Sequence, residues 1–141
     1  MSKQIYPCLW FVDQAQEAAK YYCSIFKNSK LISESPIVSI IEINGTKFMT
    51  LNTNSNLNFN DSVSFVIECD TQDDIDYYWK KLIENGGKEG QCGWCKDKYG
   101  VSWQVVPTIL GKLMNDPARS QRVVNAFLKM KKFDIATLEN A

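Results

Sequence analysis

The chain has 141 residues, enough to bury the core of one domain, and its sixteen basic and sixteen acidic residues cancel. That balance leaves no overall field for nucleic acid or anionic lipid, and no apolar run approaches membrane-spanning length. Histidine is absent, so the chain offers no imidazole as base or metal ligand.

The N-terminal stretch through Lys20 has no apolar signal core followed by a small-residue cleavage site. Five cysteines (Cys8, Cys23, Cys69, Cys92, Cys95) are an odd number spread over predicted strands and helices. Together these features place the protein in the cytoplasm with its thiols reduced.

Ile5–Val12 is a short apolar run with the length of a buried strand. Asp13 is positioned to cap a helix, with Gln16 as its reciprocal partner. Ala18, Tyr21, Tyr22, Ile25 and Phe26 then form one apolar stripe, closed by Asn28-Ser29. Lys30–Ser35, Ile37–Ile43 and Thr46–Asn52 read as three strands; Pro36 separates the first two, and Asn44-Gly45 supplies a two-residue hairpin turn. Residues 52–61 (NTNSNLNFND) are a polar loop.

The pattern then starts again. Val63, Phe65, Ile67 and Cys69 alternate with Ser64 and Glu68 in a half-buried strand. Thr71 caps a second helix whose first turn carries Asp73 and Asp74 at the positive end of the dipole, and Gly86-Gly87 ends it. An offset of 57 lays Ala18 on Ile75, Tyr21-Tyr22 on Tyr78-Trp79 and Ile25-Phe26 on Leu82-Ile83. Gln91–Pro107 reads as a hairpin turning at residues 97–100, with Trp94, Val101, Trp103, Val105 and Val106 as strand residues. Here the offset falls to 55, bringing Gly45 onto Gly100. The stretch between the second helix and this hairpin is short, so one strand is missing or very brief.

The expected fold is α+β: tandem β-α-β-β-β modules (1–56 and 57–107) forming a cupped mixed sheet within one domain, with a C-terminal helical extension at 108–141. In the extension, Asp116-Pro117 predicts a helix start, Val123, Val124, Phe127, Leu128 and Met130 continue it, and Asp134 caps a last short turn.

Paired modules of this kind resemble the vicinal-oxygen-chelate superfamily, which includes glyoxalase I, extradiol dioxygenases and bleomycin-resistance proteins. The wording resembles the PhnB-like group, whose family label is 3-demethylubiquinone-9 3-methyltransferase. The residues carrying the likeness are Pro7-Cys8-Leu9-Trp10-Phe11, Glu17-Ala18-Ala19 with Tyr22, Phe48-Met49-Thr50-Leu51-Asn52, Ser64-Phe65, Gly90–Trp94, Lys96–Gln104 and Met130-Lys131-Lys132.

Metal-dependent members of that superfamily use four ligand positions, one on the first and one on the last strand of each module. The resemblance carries these onto Pro7, Met49, Ser64 and Gln104. Proline has no side-chain donor, thioether is soft, and hydroxyl and amide are weak ligands for zinc, iron or nickel. This departure from the superfamily's ligand set argues against carrying over its metal chemistry, and the expectation is no metal and no cofactor.

Gln104 lies inside an apolar strand, and strand parity groups it with Pro7, Leu9, Phe11, Met49, Leu51, Ser64, Val66, Ser102 and Val106. On one reading this face is an apolar cavity with a few polar groups, with Gln104, Ser64, Met49, Pro7, Leu9, Phe11 and Ser102 as its candidate ligand-binding residues. On the other it is ordinary core, with Gln104 a satisfied structural amide. The remaining set, Cys8, Trp10, Phe48, Val63, Phe65, Ile67, Trp103 and Val105, would lie under helices.

Cys92-Gly93-Trp94-Cys95 matches a redox spacing, but a redox pair needs a helix N-terminus to lower the first thiol's pKa, and no helix-forming run follows. These read as packing thiols. The basic residues of the extension read as a solvated helix face.

Three function classes follow. The first is a metal-independent protein that binds a small molecule, as in the bleomycin-resistance branch. The second is an enzyme of glyoxalase or dioxygenase type, and the third the methyltransferase of the family label. No glycine-rich strand-to-helix loop of the kind that binds S-adenosylmethionine is present, which disfavours the third. No catalytic residue is assigned. The resemblance also implies a homodimer, while the charge balance and the lack of a long apolar run point to neither nucleic acid nor membrane as a partner.

Overall fold

Residues 3–141 are described by a computed structural model, in which the chain divides into two units, one running to Asn58 and the other from Phe59 to Ala141. The fold is mixed α+β, with one four-stranded sheet in each unit.

In the first unit β1 (Cys8–Val12) is followed by α1 (Ala15–Ile25), β2 (Ser29–Glu34), β3 (Val38–Ile43) and β4 (Thr46–Thr53). The sheet order is β1-β4-β3-β2, with β1 parallel to β4 and the other pairs antiparallel. The first strand is shorter than expected, and Ile5 is fully exposed. Helix α1 buries Ala15, Ala18, Ala19, Tyr22 and Ile25. Three alanines on that stripe let the helix backbone approach the sheet closely.

The cap of α1 differs from expectation. Asp13 stands at φ 59°, the left-handed conformation that bends strand into helix, and so cannot hold the extended geometry of an N-cap. The helix start is instead tied to β4: Ala15 N–H donates to Asn52 Oδ1 at 2.8 Å, and Thr50 Oγ1 donates to Ala15 C=O at 2.9 Å. Gln16 Nε2 donates to Ser35 C=O at 2.7 Å rather than back to the helix start. Asn44 and Gly45, at φ 48° and 84°, make the expected two-residue hairpin turn.

The second unit repeats the order with β5 (Ser64–Cys69), α2 (Gln72–Ile83), β6 (Lys88–Glu89), β7 (Trp94–Lys96) and β8 (Ser102–Pro107). Its sheet runs β5-β8-β7-β6, with β5 parallel to β8. The brief strand is β6, two residues long. Thr71 accepts from Asp74 N–H at 3.1 Å as the cap of α2, whose buried stripe is Ile75, Trp79 and Leu82.

The β7–β8 hairpin is built on Asp97, whose carboxylate is 2 % exposed. It accepts from Tyr99 N–H (2.9 Å), Val101 N–H (3.1 Å) and Trp103 Nε1 (2.9 Å). One buried carboxylate thus satisfies two turn amides and an indole N–H.

Three helices follow: α3 (Leu110–Met114), α4 (Ser120–Phe127) and α5 (Ile135–Glu139). Asp116 does not start a helix. Its side chain accepts from Ala118 N–H at 3.0 Å in a local turn, and α4 begins only at Ser120. Asp134 caps α5 by accepting from Thr137 N–H at 3.0 Å. The segment between α4 and α5 docks on the second unit's own sheet: Met130 and Lys131 carbonyls accept from Cys92 and Gly93 N–H, both at 2.8 Å. Gln72 reads the same segment twice, its Nε2 donating to Phe133 C=O (2.9 Å) and its Oε1 accepting from Ile135 N–H (2.8 Å). No helix of the described residues is long and apolar enough to cross a membrane.

Candidate functional site

Register decides which side chains share a face. In the second unit Ser64 pairs with Ser102, Val66 with Gln104, Trp94 with Gln104 and Lys96 with Ser102. These residues occupy the sheet face away from α2, whereas Phe65, Ile67, Cys95, Trp103 and Val105 lie on the covered face. The predicted parity of this module holds for β5 and β8 but not for Val63, which is expected under a helix and instead precedes β5, 65 % exposed. Three of the predicted site residues come together here. Gln104 Nε2 donates to Ser64 Oγ at 3.0 Å, and Ser102 stands beside Ser64 across the β5–β8 ladder.

In the first unit the parity of β1 is corrected. Leu9 pairs with Thr50, which bonds to α1, and Leu9 and Phe11 are both buried. They belong to the helix-covered core and not to the open face. Cys8 and Trp10, expected under a helix, are register partners of Met49 and Leu51 on the open face, and Trp10 is 45 % exposed. The positive-φ bend at Asp13 explains the slip: Leu9 answers to Ile67 and Phe11 to Cys69, one residue beyond the offset that relates the two helices. Ser64 therefore corresponds to Tyr6 rather than Pro7. The Tyr6 ring lies 5.0 Å from Nζ of Lys47, an open-face neighbour of Met49. What Pro7 contributes is its backbone carbonyl, which accepts from Met49 N–H at 3.0 Å.

The open face of the second sheet borders a cleft of about 440 Å³. Its walls include Trp94, Lys96, Ser102, Gln91 and Asp61. Ser102 Oγ donates to Asp61 Oδ1 at 3.0 Å, and Lys96 Nζ lies 3.2 Å from the same oxygen. The Lys96 ammonium, and then the Ser102 hydroxyl, hold the Asp61 carboxyl below its ordinary range. Sequence reasoning named Ser102 but missed Trp94, Lys96 and Asp61. Folding the hairpin about Tyr99 would have placed Trp94 opposite Gln104 and Lys96 opposite Ser102. Asp61, forty-one residues before Ser102, carries no such signal.

The two cysteines of the Cys-x-x-Cys spacing part company. Cys92 sits in a tight turn at φ 55°, its Sγ 3.6 Å from Phe127 C=O, while Cys95 is buried on the covered face beside Trp103. Burial pushes the Cys95 thiol up to about 12, the reverse of a reactive thiolate. All five cysteines are free thiols. Among the described residues no three Cys, Asp or Glu side chains gather as a metal cluster. The donors at the resemblance's ligand positions do not fit a divalent transition metal either. Gln104 and Ser64 are hydrogen-bonded to each other, Met49 offers a thioether, Pro7 has no side-chain donor, and Tyr6, which the register puts in its place, offers a phenol with the Lys47 ammonium beside its ring instead of an imidazole or carboxylate.

Three basic residues of the extension make structural contacts. Arg119 Nη2 donates to Glu139 C=O, Arg122 Nη1 donates to Ala118 C=O at 2.8 Å, and Lys132 pairs with Asp76 at 2.7 Å.

The family model described as 3-demethylubiquinone-9 3-methyltransferase matches residues 3–106. Among solved structures, the chain is similar to a putative 3-demethylubiquinone-9 3-methyltransferase, PhnB protein, from Bacillus cereus. The identity is 28 %, the TM-score 0.68, and the match covers 75 % of this chain and 100 % of that one. Protein PA1353 from Pseudomonas aeruginosa shares the fold at 19 % identity and TM-score 0.65, covering 75 % and 98 % of the two chains. So does the fosfomycin resistance protein FosX from Listeria monocytogenes, solved with Mn(II) and sulfate, at 15 % identity, TM-score 0.60 and coverage of 80 % and 96 %. No curated protein matches the chain.

Proposed function

Because this chain belongs to the 3-demethylubiquinone-9 3-methyltransferase family, a PhnB-like branch of the glyoxalase fold, we propose that it binds a small organic molecule on the open face of its second sheet, without a chelated metal. The observation carrying this reading is the Gln104–Ser64 pair, an amide and a hydroxyl held on a half-open face beside a cleft of about 440 Å³. Gln104 keeps its carbonyl oxygen for a ligand, and Val66, Val106 and Trp94 supply apolar contact around it.

The donor chemistry at Met49, Ser64 and Gln104 supports metal independence. The methyltransferase of the family description finds little support, since neither strand-to-helix turn, Asp13-Gln14 or Asp70-Thr71, contains glycine. The five free thiols suit a reducing cytoplasm.

The protein acts as a homodimer. Trp10 and Val12, 45 % and 42 % exposed, are apolar residues on the open face of β1 that a second copy would shield. Sedimentation should give twice the chain mass at micromolar concentration; a monomer would refute this.

The binding reading is tested by screening a library of small aromatic compounds, neutral and acidic, by thermal shift against the protein and Gln104→Leu. Hits lost in the variant support it. Hits unchanged in the variant, or none with either protein, reject it.

A further inference from the structure

Two donors on rigid strands converge on one point in the cleft. Lys96 and Ser102 are register partners across β7 and β8, and both reach Asp61 Oδ1, at 3.2 and 3.0 Å. Ser102 is only 1 % exposed, so its hydroxyl is a buried, aimed donor. The acceptor is of another kind. Asp61 comes from the loop before β5, and its side chain is 67 % exposed. An exposed ion pair of this sort is weakly held and exchanges readily.

The charge in the cleft is also uneven. Lys88 pairs directly opposite Lys96 across β6 and β7, and both line the cleft. Like charges directly opposite on a sheet repel, so this placement works against the edge hairpin unless an anion lies between them. The other carboxylate on the rim, Glu89, accepts from Trp79 Nε1 at 2.9 Å. Asp61 is therefore the one rim carboxylate bonded to Lys96. Trp94 precedes Lys96 by two residues on the same face, setting a flat apolar wall beside the ammonium.

We propose that Lys96 and Ser102, with Lys88 behind them, form an acid-recognition site for a small organic carboxylate with a flat apolar body, and that Asp61 is an internal placeholder for that ligand's carboxylate. The ligand's two oxygens replace Asp61 on the Lys96 ammonium and the Ser102 hydroxyl, its body lies against Trp94, and Asp61 swings into solvent. The proposal rests on the open-face binding reading and names its ligand class.

The test is isothermal titration with three probes of one shape, phenylacetate, phenylacetamide and 2-phenylethylamine, against the unaltered protein, Asp61→Ala, Asp61→Ser and Lys96→Met. Removing the placeholder should tighten phenylacetate about fivefold in both Asp61 variants, the scale an exposed pair can withhold, and affinity should fall with added salt. Lys96→Met should abolish phenylacetate binding, and the amide and amine should bind at least about tenfold more weakly than the acid. Equal binding of acid and amide, or no gain from either Asp61 substitution, overturns the ligand class; if those probes still compete with Gln104-dependent ligands, the binding reading stands. Absence of binding by all three probes to every variant removes the acid-recognition proposal, and the neutral compounds of the screen above then decide the binding reading separately.

Discussion

Gln104 Nε2 and Ser64 Oγ, 3.0 Å apart, form a diagonal pair across the parallel strands β8 and β5. Neither residue is fully buried, so water can replace either partner. Gln104→Leu should accordingly cost no more than about 1 kcal/mol in chemical denaturation while removing the ligand contact. A loss of about 3 kcal/mol would mark Gln104 as a structural amide.

Asp97 is the opposite case. Its buried carboxylate serves two backbone amides and the Trp103 indole. Asp97→Ala strands several buried donors at once and should cost at least about 3 kcal/mol. The measurement is a urea midpoint, with near-ultraviolet circular dichroism reporting the Trp103 environment. A shift below about 1 kcal/mol would contradict this account of the hairpin.

Gly93 holds the extension in place. At φ 83°, an added Cβ would stand 2.3 Å from Phe133 Cε2 and 2.9 Å from Val105 C=O. Gly93→Ala should displace the segment carrying Phe133 and open Lys131 and Lys132 to trypsin. Limited proteolysis with mass detection should show cleavage there in the variant and protection in the unaltered chain.

The buried thiols set an alkaline limit. Burial first, then nearby carboxylates, raise Cys69 from 9.0 to about 11 and Cys95 to about 12. In the unfolded chain these thiols ionise near 9.0, while the folded chain keeps them protonated. Above pH 9 the unfolded state therefore binds fewer protons, and stability falls as pH rises until the folded values are passed. Denaturation midpoints should decline from pH 9 to 11, and serine at Cys69 and Cys95 should flatten that decline. At pH 8 neither thiol should react with a disulfide reagent before unfolding.

What could be read from the sequence was whatever local chemistry controls. The Thr71 cap, the Asn44-Gly45 turn and the alternation around Gln104 each depend on residues a few positions apart. What escaped depends on distant partners. The start of α1 is held by Asn52, thirty-seven residues away, so the local candidate Asp13 looked like the cap. The same bend moved Leu9 and Phe11 to the covered face, a one-residue slip that alternation turns into a reversal of sides. The cleft was half visible: Ser102 followed from parity, but the Asp61 contact is set by the loop that returns to β5.

The matched family region ends at residue 106, and the docked extension lies beyond it. Its docking surface combines two backbone N–H groups, which every residue but proline possesses, with three host side chains: Gln72, Asp76 against Lys132, and Cys92 against the Phe127 carbonyl. Only the empty space over Gly93 is specific in shape. The attachment is thus a portable joint. A chain of this fold lacking the extension would need a glycine in the turn before β7, and a glutamine opening α2 with an aspartate one turn later, to receive the segment as a graft.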